Sequence, residues 1–210
     1  MPFSFPARLY PIIDTLGDPQ RSHLDLARAV LAAGTPLLQL RVKHEPTGRF
    51  VELARAVKAE ADRHGAVLLI NDRADIAKLV EAAGVHLGQD DLPVSAAREI
   101  LGPRAIIGFS THTLAQAEAA AREGLADYLG FGPIYATSSK DNPDPVQGLD
   151  GLRAVRSQLQ MPLVAIGGIT AATIADVLAA GADAVAMIGE IVRATDVTET
   201  ARTLLERLQT

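Results

Sequence analysis

Short polar segments, each placed directly after a run of aliphatic residues, contain the side chains with the most obvious chemistry. Arg41 and Lys43 follow one such run and, being two residues apart, would share one face of an extended segment. Guanidinium, ammonium and hydroxyl groups together bind polyanions such as phosphate or diphosphate. The side chains of this kind are Arg41, Lys43, Ser110, Thr137, Ser139 and Lys140. We therefore expect an anionic ligand.

Two other segments supply carboxylates. Asp72 lies in Asn71-Asp72-Arg73, and Asp91 ends the segment that begins at Gly88. Such hard oxygen ligands suit Mg²⁺ that is bound together with a substrate phosphate. Each segment equally suits a structural role, since Asn71-Asp72 can cap a following helix and the second segment can be an acidic turn. We therefore expect Mg²⁺ at these two carboxylates, beside the structural alternatives.

Glycines follow the last two aliphatic runs, in Gly167-Gly168 and Ile188-Gly189. Backbone N–H groups at such turns, with a helix N-terminus, form a common phosphate site. A glycine pair alone also fits any tight turn between a strand and a helix. Together with the cationic segments, these glycines predict two anion sites and two phosphorylated substrates.

The elements that must position these residues follow a regular alternation. Short, continuous aliphatic runs are typical of parallel strands buried on both faces, and they alternate with longer amphipathic stretches. Units of roughly 26 residues fit a closed (β/α)8 barrel, a TIM barrel, better than an open sheet. The predicted strands are 9–13, 37–40, 67–70, 85–87, 105–109, 127–131, 163–166 and 184–188, and the predicted helices are 23–33, 49–64, 74–83, 95–101, 114–123, 149–158, 171–180 and 198–208.

Such a barrel would bring every polar segment to one rim, because active sites of this fold lie at the carboxyl ends of the strands. The long connection 132–148 contains three prolines and is expected to be a lid or a tolerated insertion. His86 and His112 each also suit an ordinary structural role. We find no boundary or linker, so residues 1–210 are expected to form a single domain.

The composition excludes several classes of function. At 48% hydrophobic residues the chain is globular, and its formal net charge of -5 argues against non-specific nucleic-acid binding. The absence of cysteine excludes thiol catalysis and fits a cytoplasmic location. No apolar run reaches the roughly 20 residues of a membrane span, and the first residues do not resemble a signal peptide. We expect small-molecule substrates, no nucleic acid and no membrane partner, and the sequence leaves homo-oligomer formation open.

In this order, the polar segments resemble those of thiamine phosphate synthases over about residues 9–191. The segments that carry the resemblance are 38–43, 71–77, 85–91, 108–112, 132–140 and 165–169. The resemblance implies a transferase that joins 4-amino-2-methyl-5-(diphosphooxymethyl)pyrimidine to a thiazole phosphate. Diphosphate would leave first, and the thiazole nitrogen would then capture the pyrimidine cation.

The resemblance also implies roles for individual residues. Asp72 and Asp91 would bind Mg²⁺, and Arg41, Lys43, Ser110 and Lys140 would be catalytic. The substrate contacts would be Gln39, Leu40, Arg41, Val42, Lys43, Asn71, Ser110 and Lys140 for the pyrimidine diphosphate, and Thr137, Ser138, Ser139, Gly168, Ile188 and Gly189 for the thiazole phosphate.

The sequence departs from the family pattern after the last strand, where Gly189 and Glu190 replace a frequent Ser-Ala pair. One alternative is a thiazole tautomerase of the same barrel family, which has a histidine at the position of His112. Its members tend to lose the cationic and acidic residues, which this chain keeps. Another alternative is a non-catalytic barrel that binds a phosphorylated metabolite. It would be favoured if the metal carboxylates or Lys140 were missing.

Overall fold

The computed structural model describes residues 3–18, 20–139 and 144–209. Strands and helices alternate along these residues. The strands are β1 (Leu9–Ile13), β2 (Leu37–Leu40), β3 (Val67–Asn71), β4 (Gly84–Leu87), β5 (Ile106–Thr111), β6 (Tyr128–Phe131), β7 (Leu163–Ala165) and β8 (Ala184–Met187). The helices are α1 (His23–Ala32), α2 (Thr47–Arg63), α3 (Ala74–Leu79), α4 (Val94–Leu101), α5 (Leu114–Glu123), α6 (Gly148–Gln158), α7 (Ile174–Ala179), α8 (Gly189–Val192) and α9 (Val197–Gln209).

The eight strands close into a parallel barrel. Each strand pairs with the next along the chain, and β1 pairs with β8 through Leu9 and Val185. The amphipathic helices cover the outside, so each strand is buried on both faces. The predicted (β/α)8 barrel is confirmed.

Two apolar layers result from the alternation of side chains along each strand. Residues such as Leu38 and Leu40 face the helices, whereas Leu37 faces the interior of the barrel. Phe3 and Phe5 pack on the inner layer, with ring centroids 5.4 and 5.1 Å from Tyr128. The inner layer contains Tyr10, Ile12, Leu37, Leu69, Tyr128, Val164, Ala184 and Ala186.

The strand bounds agree with the predicted ones to within two residues, but two helices are shorter than expected. The predicted helix 74–83 ends at Leu79, and the predicted helix 171–180 begins only at Ile174. Gly84, which lies between the predicted helix 74–83 and the predicted strand 85–87, is the first residue of β4. In the described residues, no helix combines the length and the apolar character that crossing a bilayer requires.

Candidate active site

Two adjoining cavities open at the carboxyl-terminal rim of the barrel. The central cavity has a volume of about 480 Å³, and the side cavity has a volume of about 620 Å³. Both volumes lie in the range of small-molecule sites. The two cavities share a wall formed by Thr137, Ser139, Ile166, Gly167 and Ile188. Two ligands bound in them would therefore be neighbours.

Most of the predicted site residues lie at these cavities. Gln39, Arg41, Lys43, Asn71, Asp72, Asp91 and Ser110 line the central cavity. Thr137, Ser138, Ser139, Gly168, Ile188 and Gly189 line the side cavity. Lys140, and with it the middle of the connection expected to be a lid, lies outside the described residues.

Two predicted substrate contacts, Leu40 and Val42, have side chains that do not line the central cavity. Leu40 is fully buried and Val42 is 9% exposed, and both belong to the layer between the strands and the helices. The reason is the alternation of an extended chain, which turns Gln39, Arg41 and Lys43 inward and the residues between them outward.

Carboxylates hold the two cations of the central cavity. The Arg41 guanidinium donates to the carboxylate of Asp14, which is buried and also accepts from the Leu16 N–H at 2.7 Å. The Lys43 ammonium donates to Asp72. Sequence reasoning missed Asp14, although its position directly after the first strand matches that of the other rim residues. These pairs fix the cations at the rim before any ligand binds.

Asp72 and Asp91 meet, as the predicted metal site requires. Asp72 has a left-handed backbone with φ of 65°, and its N–H donates to the carbonyl of His86 at 2.8 Å. The Asp91 carboxylate accepts from the Gly88 N–H at 2.7 Å. Burial raises the pKa of Asp91, and the facing Asp72 carboxyl raises it further.

This pair of carboxylates fits Mg²⁺, which proteins often bind through one or two carboxylates. Within the described residues, no cluster of three or more His, Cys, Asp or Glu side chains is suited to holding a metal. Water and a substrate phosphate would therefore have to supply the other ligands, as is usual for Mg²⁺.

Backbone, hydroxyl and guanidinium groups surround the side cavity. Gly168 has φ of 63°, and a Cβ there would lie 2.4 Å from the carbonyl oxygen of Ala136, so a side chain would block this close approach. Arg193 donates to the Ser138 hydroxyl at 3.4 Å. Glu190 accepts from the Ala171 N–H at 3.1 Å, which engages the negative charge at the start of α8.

Sequence reasoning missed Arg193, because the short helix α8 determines its position at the side cavity. That helix has four residues, which is too short to produce a periodic pattern.

A chain of hydrogen bonds forms the floor of the central cavity. The Ser110 Oγ lies 2.8 Å from His86 Nε2, and His86 Nδ1 lies 2.9 Å from the Tyr128 hydroxyl. The Tyr128 hydroxyl lies 2.8 Å from that of Tyr10, to which Gln39 Nε2 donates at 2.9 Å. Burial lowers the pKa of His86 to about 4 and raises the pKa values of Tyr10 and Tyr128. All three rings are therefore neutral near pH 7.

The barrel and its rim define a class of protein: a (β/α)8 barrel with two adjoining cavities at its carboxyl-terminal rim, one of them lined by a carboxylate pair. The model of the family described as thiamine monophosphate synthase matches residues 9–191. The chain belongs to this family.

Individual relatives agree with the family match. The chain is 45% identical to the thiamine-phosphate synthase of Chloroflexus aurantiacus over 197 residues, which cover 94% of this chain and 90% of that protein. It is 46% identical to the thiamine-phosphate synthase of Moorella thermoacetica, with 94% of each chain covered. The solved structure of a thiamine phosphate pyrophosphorylase from Pyrococcus furiosus superposes with a TM-score of 0.85 at 33% identity, covering 97% of each chain.

Proposed function

We propose that this protein is a thiamine-phosphate synthase, a transferase that joins an aminopyrimidine methyl diphosphate to a thiazole phosphate and releases diphosphate. The observation that carries the proposal is the pair of cavities with a common wall at Thr137 and Ser139. The central cavity offers cations and carboxylates to a metal-bound diphosphate, and the side cavity offers groups that suit a monophosphate. The names of the relatives support the same reaction.

The central step is the departure of diphosphate, which leaves a cationic methylene on the pyrimidine. Arg41 and Lys43 lie where they can stabilise the negative charge that develops on the leaving group. Lys140, outside the described residues, is proposed to assist them. Such a step needs preorganised positive charge more than it needs a general base.

Asp72 and Asp91 are proposed to hold Mg²⁺ in the central cavity. When bound, the ion would neutralise charge on the leaving diphosphate. Lys43, which is paired with Asp72, would contact both the carboxylate and the diphosphate. The protein would thus bind the diphosphate without surrounding it with uncompensated positive charge.

The thiazole nitrogen would then capture the cation at the boundary where the two cavities adjoin. Water must be kept out during this interval, because it would compete as a nucleophile. The connection 132–148 borders both cavities through Thr137 and Ser139 and is the proposed lid. We further propose a cytoplasmic location, which the absence of cysteine supports.

The decisive experiment is a coupled assay of the purified protein with both phosphorylated precursors and Mg²⁺. We expect thiamine phosphate and diphosphate in equal amounts, and we expect EDTA to abolish turnover until Mg²⁺ is restored. Binding of both precursors without product would overturn the proposed reaction. Turnover that persists in EDTA would overturn the metal requirement alone.

An Asp91→Asn variant tests the proposed metal ligand. Loss of one of two carboxylates should raise the Mg²⁺ concentration needed for half-maximal turnover by at least about tenfold. Asp176→Asn is the control, because Asp176 is exposed on α7 and lines neither cavity. Equal Mg²⁺ requirements in the two variants would contradict the assignment.

A further inference from the structure

The hydrogen-bonded chain under the central cavity links two side chains that line the cavity. Ser110 is at one end and Gln39 at the other, while His86, Tyr128 and Tyr10 connect them through the interior of the barrel. These residues come from β5, β2, β4, β6 and β1, so the chain exists only in the closed barrel. Its four links are 2.8 to 2.9 Å long.

The available protons give this chain a direction. The Gln39 amide nitrogen can only donate, so the Tyr10 oxygen accepts from it. The buried Tyr10 O–H needs an acceptor of its own, and the Tyr128 oxygen at 2.8 Å is the one to which it donates. Tyr128 then donates to His86 Nδ1. A neutral imidazole that accepts at Nδ1 carries its proton on Nε2, which donates to the Ser110 oxygen.

The two ends consequently present opposite polarity to the cavity. The Ser110 oxygen already accepts a hydrogen bond from His86 Nε2, so its own O–H is free to donate to a ligand. One N–H of the Gln39 amide donates to Tyr10, which fixes the orientation of the amide and leaves its carbonyl oxygen to accept from a ligand. Reversing either end would require reversing every link between them.

We propose that His86, Tyr128 and Tyr10 are positioning residues that fix the hydrogen-bond polarity of Gln39 and Ser110 and thereby select an aminopyrimidine. This inference rests on the proposed function. An aminopyrimidine offers N–H donors on its amino group and acceptors on its ring nitrogens. In the corresponding pyrimidinone, the exocyclic atom is an acceptor and a ring nitrogen becomes a donor.

Two glycines leave the space that these hydrogen bonds require. A Cβ at Gly108 would lie 2.3 Å from the Tyr128 oxygen and 2.5 Å from His86 Nδ1. A Cβ at Gly130 would lie 3.2 Å from His86 Cε1. Glycine at position 108 therefore leaves room for the link between the histidine and the tyrosine.

The first test determines the direction of these hydrogen bonds and does not depend on turnover. Nitrogen-15 NMR of the labelled protein, with the His86 signals assigned from a His86→Gln variant, distinguishes the two neutral tautomers. We expect the proton on Nε2 and an unprotonated Nδ1. A proton on Nδ1 would reverse every link and overturn the inference.

The second test measures selectivity by calorimetry with Mg²⁺ and no thiazole substrate. The dissociation constants of the aminopyrimidine diphosphate and of its pyrimidinone analogue are compared. We expect the wild type to favour the aminopyrimidine by at least about a hundredfold, because the analogue would leave the site's polar groups unpaired. Tyr10→Phe removes the hydrogen bond to the Gln39 amide, and Tyr128→Phe removes the hydrogen bond to His86 Nδ1. In each variant the ratio of the two dissociation constants should fall by at least about tenfold.

Thr111→Val is the matched control for these variants. It removes a buried hydroxyl that donates to the Gly130 carbonyl at 2.9 Å. Thr111 is next to Ser110 on β5 but does not belong to the hydrogen-bonded series from Ser110 to Gln39. Its selectivity should equal that of the wild type. An unchanged preference in both tyrosine variants would overturn the inference, whereas a failed coupling assay on the wild type would overturn only the proposed function.

Discussion

Among individual residues, Arg193 illustrates how a functional side chain can be set by a very short element. Its guanidinium donates to Ser138 and lies 3.4 Å from the position that a Cβ of Gly189 would occupy, so it extends along the side cavity. A guanidinium at this point can take over phosphate contacts from the hydroxyl that Gly189 lacks.

Arg193→Gln should therefore raise the KM for the thiazole phosphate by about tenfold, the effect of losing one charge-assisted hydrogen bond. The KM for the pyrimidine diphosphate should change less, because Arg193 lines the side cavity and not the central cavity. Steady-state kinetics with each substrate varied in turn provide the measurement. Arg202→Gln on α9, which removes an exposed pair with Glu199, is the control. A rise in the KM for the pyrimidine diphosphate alone would contradict this assignment.

The sequence predicts the residue types of the site better than their pairing. Arg41, Lys43, Asp72 and Asp91 follow strands, and the fold then places them at one rim. Leu40 belongs to the family motif, but strand alternation turns its side chain outward. The contact between Tyr10 and Tyr128 spans 118 positions and depends on closure of the barrel, so no local pattern indicates it.

Among the elements, the strands are predicted well because burial on both faces leaves short aliphatic runs. The helix ends are predicted less well, since valine and alanine continue past the last turn of α3. The predicted helix 74–83 ends four residues early, at Leu79 in α3, and residues 80–83 form the turn that leads to β4. Helix ends therefore depend on packing that a periodic pattern does not reveal.

An ion pair joins the neighbouring helices α1 and α2. Glu60 is 6% exposed and accepts from Arg28 at 2.7 Å, while Arg63 lies 2.7 Å away on its own helix. The hydrogen bond from Arg28 lowers the pKa of Glu60. Because this pKa is lower in the folded state, the pair stabilises the protein fully above the ordinary value of 4.5 and loses its effect as the pH falls through the folded-state pKa.

Glu60→Gln should therefore lower the urea midpoint at pH 7, and the difference from the wild type should shrink as the pH falls below about 4.5. Urea unfolding at pH 7 and at pH 3 measures both effects. Glu52→Gln, at an exposed position of α2, should leave the midpoint unchanged. A Glu60→Gln difference that is the same at both pH values would disprove this account of the pair.

At the scale of the whole molecule, the two ends of the barrel have separate tasks. The carboxyl-terminal rim carries the cavities, whereas the amino-terminal end uses one stabilising arrangement twice. Arg98 donates to the carbonyls of Ala105 and Leu125 and to Asp127, which accepts from the N–H of Ile107 in β5. Arg156 donates in the same way to the carbonyls of Leu159 and Met161 and to Asp183, which accepts from the N–H of Leu163 in β7.

Arg98→Met removes the donor from several partly buried acceptors and should reduce the free energy of unfolding by about 2 kcal/mol. Arg156→Met should have a similar effect, because its contacts repeat those of Arg98. Urea unfolding measures the free energies. Steady-state kinetics should give unchanged KM values for both substrates, because the structure of the carboxyl-terminal rim does not depend on the amino-terminal end of the barrel. Arg153→Met, which removes only an exposed pair with Asp150, should leave both stability and kinetics unchanged. A change in either KM for Arg98→Met or Arg156→Met would mean that the two ends of the barrel are coupled.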